Sequence, residues 1–360
     1  MAAGDFSASQ LPNVLAKQQE IFLTGGRLGI RKNDPRVNAA KAVFENQTAV
    51  PLPIMKGDKC VGVEATFLKY CDDTVVDCAD EAFVFSCDIT GAEGESLKQE
   101  FNPNFCFQKS FTVNDNECKD AHTATEKIAE GIVNLKLALE AELSTFIINE
   151  LYGSVSPASD YEGEAPAGWD LTGTPYEYPA AAATRALTLS QMYVISQINR
   201  IMNPVMIGDG TWQADVNLAQ FLNNQGGAIY DEAGLYGQWG KWYFDPIALA
   251  GAGAGTGKLI MFDPNSVLAW TKNDVTNLNP QLWLGSRDLT NWKEPLSFVK
   301  GRGMNLYYDA WMQEACIEGA DGVSRRKGTK VQLILRGGFH VAQGVCNAND
   351  TGVYLFTQNA

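Results

Sequence analysis

Apolar residues recur at three- and four-residue steps between Thr123 and Tyr152. Ile128, Ile132, Leu135, Leu139, Leu143, Phe146 and Leu151 make one stripe, and Val133, Leu137 and Ile148 a second, narrower one. That period predicts one long helix from about Thr123 to Tyr152. Thr123 and Glu126 stand at capping-box spacing, His122 falls at the helix start, and Gly153 fits the position after the last turn. At 1.5 Å per residue the helix runs roughly 45 Å. Two stripes imply contacts on two sides, for example a sheet beneath and another element above.

The pattern before this helix is that of strands. Val61 to Tyr70, Ala82 to Cys87, and Phe105, Phe107 and Phe111 with Val113 are rich in β-formers, with turns at Asp72-Asp73 and Gly91-Ala92-Glu93-Gly94. Acidic residues heavily outnumber basic ones here. An acidic, strand-rich excursion with a weak core is unstable in isolation, so it is expected to gain its burial from another subunit. Residues 1–55 read as an arm. A short amphipathic helix is expected from Ser9 to Phe22, with Leu11, Val14, Leu15 and Phe22 on one side. Gly25, Gly26 and Gly29 follow, among the basic residues Arg27, Arg31, Lys32 and Arg36. That stretch is either a solvated loop or an arm that meets an acidic neighbour. Pro51 and Pro53 keep its end extended.

Beyond the helix, residues 154–185 read as a long loop. Helices are expected at Leu187–Met202, stopped by Asn203-Pro204, and at Ala214–Leu222. Strands are expected at Val205–Ile207, Lys258–Phe262 and Leu282–Leu284. Leu306–Ile317 and Lys330–Arg336 flank a turn at Gly319–Gly328, and Gly352–Thr357 is a last strand.

Composition narrows the function. The chain has 360 residues, 45% hydrophobic and 19% charged, enough for one large core or two modest ones. A net charge of −14 disfavours a nucleic-acid binder, which needs clustered Lys and Arg. No apolar run approaches the roughly 18 residues of a spanning helix, so no membrane partner is expected. Met1 to Gln10 shows neither a basic nor an apolar leader region, so an intracellular start and reduced thiols are expected. Six of eight cysteines (Cys60, Cys71, Cys78, Cys87, Cys106 and Cys118) precede the long helix; Cys316 and Cys346 come late. No pair has C-x-x-C spacing, and His122 and His340 are the only imidazoles. The expectation is buried free thiols and no metal site.

Catalytic motifs are absent or broken. Gly251, Gly253, Gly255, Gly257 and Lys258 resemble a phosphate loop, but Ala252 stands where glycine is needed and Leu259 where a hydroxyl is needed. A strand, not a helix, follows it. There is no G-x-S-x-G or H-E-x-x-H. Phe244-Asp245-Pro246 and Phe262-Asp263-Pro264 read as turn chemistry. All eight tryptophans lie between Trp169 and Trp311; core packing is their expected role, with sugar stacking the alternative. No catalytic residue, cofactor or metal is assigned, and an enzyme is not expected.

Three stretches carry a resemblance. "FTVNDNECKDAHTATEKIAEGIVNLKLALEAEL" resembles the passage from the extended loop into the spine helix of major capsid proteins of tailed bacteriophages, with the Hong Kong 97-type fold. "KLIMFDPNSVLAW" resembles a central strand and turn of their axial domain, and "KVQLILRGGFHVAQGVCNANDTGVYLF" the closing strands of their peripheral domain. The cysteines and the ending Thr351-Gly352-Val353 resemble versions from phages of Bacteroidetes-type hosts.

The resemblance implies an α+β fold in five parts: an N-terminal arm (1–55), an extended loop with flanking strands (56–118), the spine helix and first part of the peripheral domain (119–185), an axial domain (186–299) and closing peripheral strands (300–360). It implies hexamers and pentamers of an icosahedral shell, assembled in the host cytoplasm and carried in the virion. Scaffolding, portal and decoration proteins are the implied partners, with packaged DNA touched loosely and without sequence preference. The resemblance further implies that the loop lies over a neighbouring subunit and that the arm braces another. Subunit-contact candidates are Arg27, Arg31 and Arg36 in the arm, and Asp72, Asp73, Glu93 and Glu95 in the loop. The Lys–Asn cross-link of some relatives matches no pair of positions here. Rival readings are an encapsulin-like compartment, a secreted glycan-binding protein and, weakened by Ala252 and Leu259, an NTPase.

Overall fold

The computed structural model describes residues 11–24, 34–49, 52–56, 59–69, 95–114, 124–156, 177–180, 185–199, 201, 203–223, 240–251, 257–282, 289–295, 297–300, 306–318, 325–342 and 351–358. Two helices open the chain, α1 (Leu11–Thr24) and α2 (Asn38–Asn46). β1 (Leu52–Lys56), β2 (Lys59–Lys69) and β3 (Glu95–Phe101) form a three-stranded antiparallel ribbon in that order. β4 (Phe105–Asn114) leads to the long helix α3 (Ala124–Gly153).

β5 (Glu177–Ala180), α4 (Arg185–Ile198), β6 (Val205–Gly208), α5 (Gly210–Asn223), β7 (Lys241–Phe244), α6 (Pro246–Gly251) and β8 (Lys258–Phe262) come next. β9 (Val267–Thr271), β10 (Gln281–Leu282), β11 (Leu289–Glu294), β12 (Tyr308–Glu318), β13 (Arg325–Val341) and β14 (Val353–Gln358) complete the fold. The α+β class holds, and α2, β3, α6 and β11 are among the elements additional to those expected.

α3 is the axle. Its apolar period buries Ile128, Ile132, Val133, Leu139, Leu143, Ile147, Ile148 and Leu151. Each such side chain contributes about 1.5–3 kcal/mol when fully buried. One side of α3 lies on β4 and β13; α1 and α2 cover others. The two stripes thus find two sets of partners. Thr123 lies outside the described residues, so the capping box does too. Gly153 is the last helical residue, not a left-handed stop; the described glycines with positive φ are Gly257 and Gly352.

A six-stranded sheet has the order β10-β11-β12-β13-β4, with β9 also on β13. A five-stranded sheet has the order β5-β14-β8-β6-β7, with parallel pairs at β14–β5 and β6–β7 and antiparallel pairs within. Its apolar core includes Met192 and Ile195 of α4, Trp212 and Val216 of α5, and Met206, Met261 and Tyr354.

Several placements differ from the sequence expectations. Residues 11–24 and 34–49, within the expected arm, pack on the body of their own chain. Val14 and Ile21 of α1 are buried in the main core with α3, and Ala39, Ala40, Ala42, Val43 and Phe44 of α2 are buried too. The small alanines let α2 approach α3 closely enough for Ala40 N to donate to Ser144 Oγ at 3.1 Å. β4 belongs to the six-stranded sheet, through a ten-residue register with β13. β9 and β11 join that same sheet, although both fall within 186–299. β14 joins the other sheet, against β8, rather than β12 and β13. The strand expected over 82–87 lies outside the described residues.

Candidate functional site

Of the seven contact candidates, Arg27, Arg31, Asp72, Asp73 and Glu93 lie outside the described residues. Glu95 opens β3, its backbone opposite Lys69. Arg36 is held within its own turn. Asp34 N-caps a 3-10 turn over Pro35–Val37. Its Oδ1 accepts from Arg36 N at 3.0 Å and Nε at 2.9 Å, and its Oδ2 from Nη2 at 2.7 Å. Hydrogen bonding to the Arg36 side chain holds the Asp34 carboxyl below the usual carboxylate range. The Arg36 side chain keeps 42% exposure, so it can still meet an outside carboxylate, in competition with Asp34.

The ribbon meets the body through a small separate core. Val63 and Ala65 of β2 pack with Leu268 and Trp270 of β9, flanked by Ala49 and Phe101. His340 stacks on Trp270 with ring centroids 5.4 Å apart, and its Nε2 lies 2.8 Å from Asn102 O. Asn104 pins the following turn: Nδ2 donates to Phe339 O at 2.8 Å, and Oδ1 accepts from Phe339 N at 2.9 Å. From this root the β2–β3 ladder runs from Val63↔Phe101 to Lys69↔Glu95, in unbroken register. That is roughly 20 Å at about 3.4 Å per residue. Among the described elements, β1, β2 and β3 pack mainly on one another.

Under α3 lies a buried ionic cluster that the sequence reading missed. Lys136 Nζ donates to Glu294 Oε1 at 2.9 Å, with both side chains at 0–1% exposure. Trp292 Nε1 donates to Glu294 Oε2 at 2.9 Å. Lys136 also faces the rings of Phe22 and Tyr308, 5.2 and 5.8 Å from their centroids. One turn along, Glu140 Oε1 accepts from Phe298 N at 3.0 Å and from the Tyr308 hydroxyl. Phe22 stacks on Phe298 at 4.6 Å. Burial pulls the Lys136 ammonium down from its ordinary value, and pushes the Glu140 carboxyl up to about 7. Burial likewise raises the Tyr308 hydroxyl.

With no exposed member, the cluster has no access to a substrate; it ties α1, α3, β11 and β12 together. A lysine and a glutamate one turn apart inside an apolar stripe were its visible trace in the sequence.

Other polar groups also serve the fold. Arg336 bridges Asp274 at 2.6 Å and Asp309 at 2.8 Å. Asp209 caps α5 through Thr211 N at 3.0 Å and Trp212 N at 3.1 Å, and its Oδ2 accepts from Gly257 N. The end of the glycine-rich loop therefore meets a carboxylate, the opposite of what a phosphate needs. Asp263 behaves as the expected turn residue, its Oδ1 accepting from Asn265 N at 3.0 Å, whereas Asp245 Oδ2 reaches across the fold to accept from Ala39 N in the first turn of α2 at 3.1 Å.

In Thr351-Gly352-Val353, Thr351 N donates to Ser156 Oγ at 3.0 Å and Val353 O accepts from Ser156 N at 2.9 Å, which fastens the start of β14 to the residues after α3. Gly352, at φ 65, makes that bend. Trp212, Trp270 and Trp292 are buried as packing residues. Cys106 is free and exposed, not buried as expected. Among the described residues, no helix is long and apolar enough to cross a membrane, and no group of His, Cys, Asp and Glu could hold a metal ion.

No family model matches the chain, and no curated protein matches it. Solved structures similar to it include a chain of Mycobacterium phage Adephagia, at 12% identity and a TM-score of 0.39, covering 95% of this chain and 97% of that one. A chain of Microbacterium phage Oxtober96 is similar at 12% identity and a TM-score of 0.41, covering 85% of this chain and 94% of that one. The Cyanophage Pam1 capsid asymmetric unit is similar at 12% identity and a TM-score of 0.41, covering 82% of this chain and 84% of that one.

Proposed function

We propose that the chain is a major capsid protein that self-assembles into an icosahedral shell around double-stranded phage DNA. The ribbon carries this reading. It is fastened to the body at its root, yet continues as a thin ladder to Lys69↔Glu95. A ribbon of that size is marginal in water without a further surface to cover it. A neighbouring subunit supplies that surface in a shell. Residues 70–94 between the two strands carry Asp72, Asp73, Asp77, Asp80, Glu81, Asp88 and Glu93 and no Lys or Arg, half of the net charge of −14. Such a segment favours a basic counterpart on another copy, and Arg27, Arg31 and the exposed side of Arg36 are the candidates.

Hexamers and pentamers, a separate scaffolding protein, a portal and decoration proteins complete the proposed assembly, formed in the host cytoplasm and retained in the virion. The acidic balance suits a wall that touches packaged DNA loosely. The cysteines and Thr351-Gly352-Val353 support a Bacteroidetes-type host. Sedimentation and negative-stain imaging of the full chain, alone and with its scaffold, test the proposal. Closed particles of megadalton mass are expected. A stable monomer in the presence of the other virion proteins overturns it.

A further inference from the structure

The open edges of a sheet offer rows of unpaired N–H and C=O groups, and folded chains usually guard them with short strands, prolines, bulges or charges. Here nearly every described edge has such a guard. β1 has Pro53 and a bulge at Ile54/Met55. β3 has Glu95, Lys98 and Glu100 among seven residues. β5 has four residues including Pro179, β7 has four, and β10 has two. On β9, Gln47 takes the place of a strand: Oε1 accepts from Ala269 N at 2.7 Å and Nε2 donates to Ala269 O at 3.0 Å.

β4 has only one of these, a single charge. It is ten residues long, in unbroken register with β13 from Phe105↔Gly337 to Asn114↔Gly328. It contains no proline, and its one charge is Lys109. Cys106, Gln108, Lys109, Ser110 and Thr112 are exposed.

We infer that β4 pairs antiparallel with β4 of a second copy, about a twofold axis at Ser110. The inference rests on the shell reading for the presence of many copies, and adds which edge joins two of them. The guards on the other described edges leave β4 as its own best complement, and a contact made by one patch on both copies closes on a twofold. Opposed residues in an antiparallel pair point to the same face, so the axis must pass through a residue for the two sheets to continue each other. The registers of greatest overlap centre on Lys109 or Ser110. Centring on Lys109 sets two ammonium groups face to face, which is destabilising. Centring on Ser110 sets Lys109 opposite the partner's Phe111 and Gln108 opposite the partner's Thr112. Two six-stranded sheets then become one continuous sheet.

The test uses the full chain with Cys106→Ser to remove the neighbouring thiol. Opposed Cβ atoms at the axis lie about 4.5–5.5 Å apart, within reach of a disulfide after small adjustment. Ser110→Cys, mildly oxidised, is expected to give a covalent dimer whose cross-linked peptide carries position 110 from both copies. Gln108→Cys, whose two copies are out of register, is expected to give none. Ser110→Lys is expected to weaken association at least tenfold while thermal unfolding stays unchanged.

Equal cross-linking by the two cysteine variants, or a bond from position 110 to another segment, overturns the pairing. If Ser110→Lys forms particles as the unaltered chain does, the pairing is wrong and the shell reading stands. A dimer cross-linked at position 110 that never proceeds to closed particles leaves the pairing and sinks the shell reading.

Discussion

Lys136 and Glu140 are the residues on which the body depends most sharply. A buried pair stripped of one member leaves an uncompensated charge, at a typical cost of about 3–5 kcal/mol. Lys136→Met should therefore lower unfolding stability by about that amount in a urea titration. Adding Glu294→Leu should recover most of it, because no stranded carboxylate remains at that position. Glu140 sets a pH dependence. Its carboxyl holds a proton up to about pH 7 in the folded chain, against 4.5 ordinarily. Between those values the folded state binds more protons than the unfolded one, so stability falls as pH rises, by roughly 3 kcal/mol across the window. The contribution is fully present below about pH 4.5 and lost above about 7. Glu140→Gln should flatten that part of the curve when urea midpoints are compared at pH 5 and pH 7.5. The same slope in both proteins would show that other groups carry it. The sequence displayed these two charges as breaks in an apolar stripe. Their partners were not legible, because Glu294 lies 158 residues from Lys136, and no local period encodes such a pairing.

Elements were legible by period and less so by partner. The long helix Ala124–Gly153 and the strands Val205–Gly208, Lys258–Phe262, Tyr308–Glu318 and Val353–Gln358 follow the expected bounds closely, whereas Arg185–Ile198 and Gly210–Asn223 each depart by four residues at one end and the short helices Asn38–Asn46 and Pro246–Gly251 had no expectation. The amphipathic stripe of α1 was also visible, but Val14 and Ile21 would present the same stripe to a neighbour's helix as they do to α3. Likewise the alternation of Phe105, Phe107, Phe111 and Val113 announced a strand without saying that β13 receives it. Close approach between elements was hidden as well. A Cβ on Gly337 would come within 3.0 Å of Phe105, Thr271 and the Trp270 carbonyl, where β4, β13 and β9 meet. Backbone cannot yield as a side-chain tip can, so Gly337→Ala is expected to cost about 2–3 kcal/mol. Thermal unfolding reads that loss directly; an unchanged midpoint would mean that β9 can shift away from β13. The same junction roots the ribbon, so this variant should also weaken protection of Val63 and Ala65 amides from hydrogen exchange.

At the scale of the whole molecule, the question is whether the ribbon's far end serves its own body or another copy. Lys69 and Glu95 are directly opposite in the ladder, so excising 70–94 and joining them through Asn-Gly gives a two-residue hairpin of favoured geometry. The excision removes seven carboxylates and leaves the packing of Val63 and Ala65 on Leu268 and Trp270 in place. If the removed segment finds its burial on a neighbour, the shortened chain should unfold within a couple of degrees of the intact one and yet form no particles. Mixed with intact subunits, it should reduce particle yield in proportion to its share, because each shortened copy leaves one neighbour uncovered. A large fall in the unfolding midpoint would instead place the segment on its own body. Normal particles from the shortened chain would move the subunit contact elsewhere, and β4, whose long edge carries the single charge Lys109, would then have to carry it.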